Sequence, residues 1–386
     1  NTVTNITIDQ AVNHIKSLVI SGDKYNAIGV CDALVASNPG LLQLLWIRCC
    51  VNLSYGNKDK AKTDALKIFD ATKDDSLIAT ISYYMSAKKL PSITEIEQQV
   101  NYERMRRSVY MDYPQEVSFE TYTKCNAACS FCPYPTLERE GEKMPDELID
   151  KILSELSKIP RSVEFVITPH VVNDPLIDKR MFSIYKRIND EIPNAKIRIF
   201  TNGAPLTDGI IDKLSDVKNV LHLWVSLNTH IEDEYEKLMK MPFFRTIEHL
   251  DSLHRKKESG IIKHDIVISK VSQNDGTDQD FFAFVKDRWP SFSPTVIGLN
   301  DWAGEMDIEI NGQAPNTGCT RWFQLAILSN GDVALCCADG EGKYKVGNVS
   351  EQTLLDIYNN PDYRKMREFI PSRLGAMSPC DTCTGR

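Results

Sequence analysis

The sequence predicts an α/β fold: a partial, TIM-like (β/α)6 barrel with an all-α module before it and a small α+β, cysteine-bearing domain after it. Three observations predict this. Six strand-like segments alternate with helical ones between residues 117 and 299, the pattern of a parallel sheet with right-handed crossovers. Gly22 and Gly56, 34 positions apart, punctuate an opening stretch that otherwise reads as helix throughout. The final stretch, from about residue 310, is short on periodicity and rich in Gly and Cys.

Size and charge bound the answer. At 386 residues the chain fits two or three domains. A hydrophobic content of 42%, a charged content of 25% and a net charge of −8 are ordinary for a globular protein. No basic block marks a nucleic-acid partner. The longest apolar runs, such as Leu41 to Ile47, fall short of the ~20 residues that span a bilayer. The polar first residues carry no secretory pattern, so a cytoplasmic location is expected. Eleven cysteines, clustered and odd in number, then read as metal ligands more than as disulfides.

Residues 1–91 read as the helical module. Gly22-Asp23-Lys24-Tyr25-Asn26-Ala27 recurs in outline as Gly56-Asn57-Lys58-Asp59-Lys60-Ala61, at the period of tetratricopeptide (TPR) helix pairs. Ala27 and Ala61 would let helices approach closely; a generic array of helical hairpins fits the same pattern. Cys31, Cys49 and Cys50 fall inside it and read as small buried apolar residues. Residues 92–115 read as a charged connector.

The barrel is expected over 116–309. Val117 to Tyr122 is its first strand, and Asp146 to Ile159 an amphipathic helix with Leu148, Ile149, Ile152, Leu153 and Leu156 on one face. Further strands are expected at 162–168, 195–200, 219–227, 263–271 and 294–299. Helices are expected at about 178–191, 206–216, 232–258 and 277–289. Residues 310–386 form the small terminal domain, where Ile327 to Val333 reads as a hairpin with an Asn330-Gly331 turn.

Directly after the first strand comes a CxxxCxxC loop: Cys125, Cys129 and Cys132. Three thiolates can hold three irons of a 4Fe–4S cubane and leave the fourth open, whereas electron-transfer clusters take four cysteines. Zinc takes four paired ligands, and no fourth lies nearby. With the aromatic Phe131 before the last cysteine, this loop resembles that of the radical S-adenosylmethionine (SAM) superfamily. The resemblance implies a 4Fe–4S cluster whose open iron is chelated by the amino and carboxylate groups of SAM. It also implies SAM contacts at later strand ends. Asn173-Asp174-Pro175-Leu176 stands where the family has a Gly-Gly-Glu-Pro-like motif. The glycines are missing and Asp replaces Glu, so Asn173 and Asp174 carry over on the Asn-acid-Pro-Leu core, with a plain turn as the alternative. Thr201-Asn202-Gly203 resembles the family's Thr-Asn-Gly. Ser226 matches a position that contacts the SAM ribose or carboxylate.

Cys319, Cys336, Cys380 and Cys383 resemble the ligand set of a Twitch domain, the shortened relative of SPASM. That implies a second, auxiliary 4Fe–4S cluster with four thiolates; a zinc site from the same cysteines is the rival. Cys337 competes with Cys336, which the spacing from Gly331 favours. No cysteine follows Cys383, so one auxiliary cluster is expected. By resemblance, the protein reductively cleaves SAM to a 5′-deoxyadenosyl radical that abstracts a substrate hydrogen. The expected outcome is dehydrogenation of a sugar- or aminocyclitol-like small molecule, with electrons supplied by a flavodoxin or ferredoxin. An epimerase using Cys337 as hydrogen donor, a modifier of peptide or carrier-bound substrates recruited by the TPR-like module, and a non-enzymatic electron carrier are the rivals. Trp302, Glu305, Arg321 and Trp322 lie between barrel and terminal domain, as substrate-lining candidates or as packing.

Overall fold

The computed structural model describes residues 7–273, 275–308 and 312–385. The chain forms two compact units. One holds the chain up to Ser108 together with Pro315–Thr320 and Phe369–Met377; the other holds Val109–Ala314, Arg321–Glu368 and the chain from Ser378. The expected boundary at 309/310 lies outside the described residues.

The first unit contains six helices: α1 (Ile8–Ile20), α2 (Lys24–Ser37), α3 (Leu42–Ser54), α4 (Lys58–Thr72), α5 (Ser76–Met85) and α6 (Ile93–Arg106). Gly22 and Gly56 make the turns after α1 and α3 at φ 79° and 81°, a conformation glycine reaches without steric cost. Ala27 and Ala61 are fully buried, as are Cys49 and Cys50. Burial pushes the Cys31 thiol up to about 12, with Asp32 adding to it, which suits inert packing. Helix α6 corrects the sequence reading, which placed a connector over 92–115. Ser92 and Glu95 form a reciprocal capping box, and Ile93, Ile96 and Val100 are buried in the helical core.

The second unit is built on one sheet. Its parallel strands are β1 (Glu116–Phe119), β2 (Phe165–Thr168), β3 (Ala195–Thr201), β4 (Val220–Ser226), β5 (Ile266–Val271) and β6 (Ser293–Ile297). Helices α7 (Asp146–Leu156), α8 (Met181–Glu191), α9 (Asp208–Ser215), α10 (Glu232–Met239), α11 (Phe243–Glu258) and α12 (Asp278–Arg288) connect them. All five apolar residues expected on one face of α7 are buried. The single helix expected over 232–258 is two, because Lys240 turns left-handed at φ 57° and Pro242 cannot continue a helix.

The sheet does not stop at β1. Strand β7 (Gln324–Ile327) pairs with it in parallel, Glu116 opposite Gln324 and Phe119 opposite Ile327. Then β8 (Asp332–Ala334) and β9 (Lys345–Asn348) continue antiparallel, followed by α13 (Leu354–Tyr358) and α14 (Pro361–Phe369). The strand order is β6-β5-β4-β3-β2-β1-β7-β8-β9, an open sheet. The terminal segment is therefore no separate layer, since its strands extend the barrel sheet. The Asn330-Gly331 hairpin turn is present, with Gly331 at φ 88°. Among the described residues, no helix is long and apolar enough to cross a membrane.

Candidate functional site

The three cysteines of the CxxxCxxC loop lie just past the C-terminal end of β1, half-buried. The end of α10 holds that loop. A helix leaves its last carbonyls without intrahelical partners. Here Leu238 O accepts from Ser130 N–H (3.0 Å) and Met239 O from Ala128 N–H (3.2 Å). The loop closes on itself through Cys132 N–H to Cys129 O (3.2 Å), and the Met239 sulfur lies 3.6 Å from Cys129 Sγ.

The strand ends behind the loop form one network. Asp174 N–H donates to Lys124 O (3.0 Å), tying the turn after β2 to the residue before Cys125. The Asp174 carboxylate is buried and accepts from Thr201 Oγ1 (2.8 Å), Asn202 N–H (2.9 Å) and Leu176 N–H (3.1 Å). Burial pushes its carboxyl up to about 6, against those donors. Asn202 Nδ2 in turn reaches Asn126 Oδ1 (2.7 Å) and lies 3.6 Å from Cys125 Sγ. Asn173 is 4% exposed; its Oδ1 accepts from Val171 N–H (3.1 Å), while its buried Nδ2 has no partner. In the Thr201-Asn202-Gly203 turn, Gly203 sits at φ 87°, and a Cβ there would lie 3.1 Å from Thr246 Cγ2 and 3.2 Å from Val225 Cγ1. Gly203→Ala is expected to cost about 1–3 kcal/mol, read as a drop of a few degrees in thermal melting.

Inside the sheet's alternation, Arg198 and Phe200 of β3 share a face with their register partners His222 and Trp224 of β4. Phe200 stacks on His170 (4.9 Å between centroids), and Trp224 Nε1 donates to Ser269 Oγ (2.8 Å). Ser226 lies opposite Ser269, hydroxyls 3.5 Å apart. Burial pulls the His170 imidazole down to about 4, so it is neutral near pH 7. Arg198 closes this face with a two-oxygen contact to Glu116 (2.6 and 2.7 Å).

Of the four lining candidates, Trp302 bonds to the cysteine loop. Trp302 Nε1 donates to Phe131 O (2.9 Å). Trp302 and Ala303 both have positive φ, 53° and 55°, a strained turn for residues with a Cβ. Glu305 Oε1 accepts Glu341 N–H (3.0 Å), and its buried Oε2 has no partner. Burial, with Asp339 adding to it, pushes the Glu305 carboxyl up to about 7 against the Glu341 N–H. Trp322 takes the packing alternative: at 1% exposure it is a core residue. Arg321 is half-buried on the same 3-10 turn.

Cys336 and Cys337 follow β8, and Cys380 and Cys383 share a turn closed by Cys383 N–H to Cys380 O (3.3 Å). That is the same turn bond that the Cys129–Cys132 pair makes. Cys319 belongs to the first unit.

The sequence reading missed Glu120 and Arg139. Glu120, fully buried one residue past β1, pairs with the Arg139 guanidinium. It also accepts Val172 N–H (3.2 Å) and the Thr123 hydroxyl (2.9 Å), while Arg139 Nε donates to Gly340 O (2.8 Å). An acidic residue at a strand end is the signal that could have drawn attention to it.

The donor set suits an iron–sulfur cluster. Burial pushes the Cys125 and Cys132 thiols up to about 12 and 11, and raises Cys129 as well, so deprotonation has to come with metal binding. Among the described residues, no three His, Cys, Asp or Glu side chains gather tightly enough for a single metal ion; a cubane instead binds each thiolate at a separate iron. The orphaned Asn173 donor beside the loop matches a ligand oxygen.

Three strand-end thiols on an open parallel sheet define an iron–sulfur protein of the partial-barrel class. Residues 119–276 match the radical SAM superfamily, and residues 319–384 match SPASM, an iron-sulfur cluster-binding domain. The chain carries a radical SAM domain and an SPASM-type iron–sulfur domain, and is a radical SAM enzyme. Its implied cofactors are SAM, a SAM-binding 4Fe–4S cluster and auxiliary iron–sulfur. It is 22% identical over 272 residues to the S-adenosyl-L-methionine-dependent 2-deoxy-scyllo-inosamine dehydrogenase of Niallia circulans, covering 69% of this chain and 91% of that protein. In fold it is similar to Streptococcus suis SuiB bound to precursor peptide SuiA (TM-score 0.54, 15% identity, 82% of each chain). It is also similar to anSMEcpe with bound AdoMet (TM-score 0.51, 12% identity, 68% of this chain and 81% of that one).

Proposed function

We propose that the protein is a radical SAM dehydrogenase acting on a hydroxyl-bearing ring of the sugar or aminocyclitol class. The observation that carries the reading is the cysteine loop wired to the Asp174–Thr201–Asn202 network at the strand ends. Cys125, Cys129 and Cys132 are the residues that would hold the SAM-binding cluster; when bound, it supplies the electron that splits SAM into methionine and a 5′-deoxyadenosyl radical. Asn173 presents its unpaired amide to a ligand oxygen. Asp174 fixes Thr201 and Asn202, and Asn202 in turn supports Cys125. Ser226 offers a hydroxyl two register positions along β4 from Trp224, on the same face. Phe200, Trp224 and His170 present ring faces and Ser226 presents a hydroxyl, while the fully buried Ser269 holds the Trp224 indole N–H, which suits a polar ring with C–H faces. Trp302 braces the cysteine loop at Phe131. By the resemblance to a Twitch domain, Cys319, Cys336, Cys380 and Cys383 are the residues that would hold the auxiliary cluster. A flavodoxin or ferredoxin in a reducing, cytoplasmic compartment is the matching reductant.

The test is anaerobic turnover of the reconstituted protein with ring-deuterated aminocyclitols, sugars and peptides, followed by mass spectrometry. Deuterium in 5′-deoxyadenosine from a ring C–H, with a product two hydrogens lighter, is the expected result. Deuterium from peptides alone, an epimer as product, or no 5′-deoxyadenosine with any addition overturns it.

A further inference from the structure

Within the first unit, the helices hold a piece of the far end of the chain. Residues 315–318, which lead into Cys319, run along α5 and α6, and their backbone groups are taken up by side chains there. Asn316 N–H donates to Glu95 Oε1 (3.1 Å), and Asn316 O accepts from Tyr84 Oη (2.9 Å). Gly318 N–H donates to Gln99 Oε1 (2.8 Å). The other end of the same amide, Gln99 Nε2, donates to Pro371 O (3.1 Å), and Tyr102 Oη donates to Ile370 O (2.6 Å). Arg373 N–H closes the layer by donating to Thr317 O (2.8 Å). Gln99, Tyr102 and Thr317 are all fully buried.

Buried backbone groups need partners, and here one glutamine amide meets that need for both returning segments at once. The fit at Gly318 is equally specific. A Cβ there would sit 2.2 Å from Tyr102 Cδ1, so only glycine allows the segment to lie flat against that ring. Its neighbour in sequence is Cys319.

We infer that the helical module serves to fix the segment that presents Cys319, with Gln99 and Tyr102 of α6 as positioning residues for that thiol. This rests on Cys319 being an auxiliary ligand. The α5–α6 face that a protein partner could have used is occupied by the chain's own residues 315–318.

The experiment uses full-length chains in a Cys125/Cys129/Cys132→Ala background, where only auxiliary iron can load. Iron per chain and the electron paramagnetic resonance spectrum are read for Cys319→Ala, Gln99→Leu, Gly318→Ala and Gln99→Glu. Alkylation of Cys319 is timed in the cluster-free protein by mass spectrometry. Gln99→Leu and Gly318→Ala are expected to lower auxiliary iron affinity roughly 10–100-fold, as loss of an outer-shell partner does. They should also shift the spectrum and speed Cys319 alkylation several-fold. Gln99→Glu keeps the acceptor for Gly318 and loses the donor to Pro371, so it should fall between them and the parent, even if Gly318→Ala fails to fold. Parent iron, spectrum and alkylation rate in the Gln99 variants, with Cys319→Ala devoid of auxiliary iron, overturn the inference. Full iron in Cys319→Ala overturns the ligand assignment itself, a separate result.

Discussion

Replacing any one of Cys125, Cys129 and Cys132 with alanine is expected to abolish the SAM-binding cluster and bring 5′-deoxyadenosine formation to background. The loop offers three thiols, and the Asn126 and Asn202 amides beside Cys125 are already bonded to each other. Each thiol is raised by burial, so only binding to iron makes a thiolate favourable there. Loss of one ligand leaves two buried thiols that revert to the neutral form. Iron analysis and the visible absorbance of the reconstituted protein check the result, together with chromatography of 5′-deoxyadenosine. The contrast is Asn202→Ala, which leaves all three ligands and removes the amide 3.6 Å from Cys125 Sγ. A loss of roughly 10–100-fold in cluster affinity is expected there, not its abolition. A full cluster in any of the three cysteine variants would mean that the thiols do not carry it.

The largest effect on stability is expected at Arg139. Its guanidinium is 9% exposed and pairs with a Glu120 carboxylate that is 0% exposed. It also bonds the Thr123 hydroxyl (2.9 Å) and the Gly340 carbonyl (2.8 Å). Arg139→Ala strands a buried negative charge, a change that costs about 3–5 kcal/mol. At a few degrees per kcal/mol for a unit of this size, melting should fall by roughly 6–20 °C, measured on cluster-free protein. Arg139→Met combined with Glu120→Leu removes both charges and should recover much of the loss. A single variant that melts like the parent would show that the pair contributes nothing. Because Glu120 also accepts Val172 N–H, the same variant loosens the turn that carries Asn173.

The sequence made local chemistry legible and left distant pairings hidden. The cysteine loop, the α7 stripe, the strand ends at Thr201 and Ser226 and the Asn330-Gly331 turn are patterns within a few residues, set by period, turn chemistry or ligand spacing. Helix α6 escaped because Glu95, Glu97, Glu103, Arg104, Arg106 and Arg107 give it the composition of a linker. Its Ser92–Glu95 capping box and the Ile93, Ile96, Val100 stripe were readable signals of a helix. Loop position alone leaves Trp322 open as lining or as packing, and its burial favours packing. The Glu120–Arg139 pair and the Gln99 staple depend on which segments the fold brings together, and neither spacing nor composition records that.

The Gln99 staple also sets an order of events during synthesis. Gln99 and Gly318 are 219 positions apart, so at typical ribosomal rates roughly 10–45 s pass between the emergence of the two. Throughout that interval the nascent first unit lacks the strip that covers Gln99 and Tyr102, and its amide and ring face water or a chaperone. The helices, made before the sheet, are thus completed only after most of it has emerged. A chain stalled anywhere before residue 315 leaves the ribosome with its helical unit incomplete.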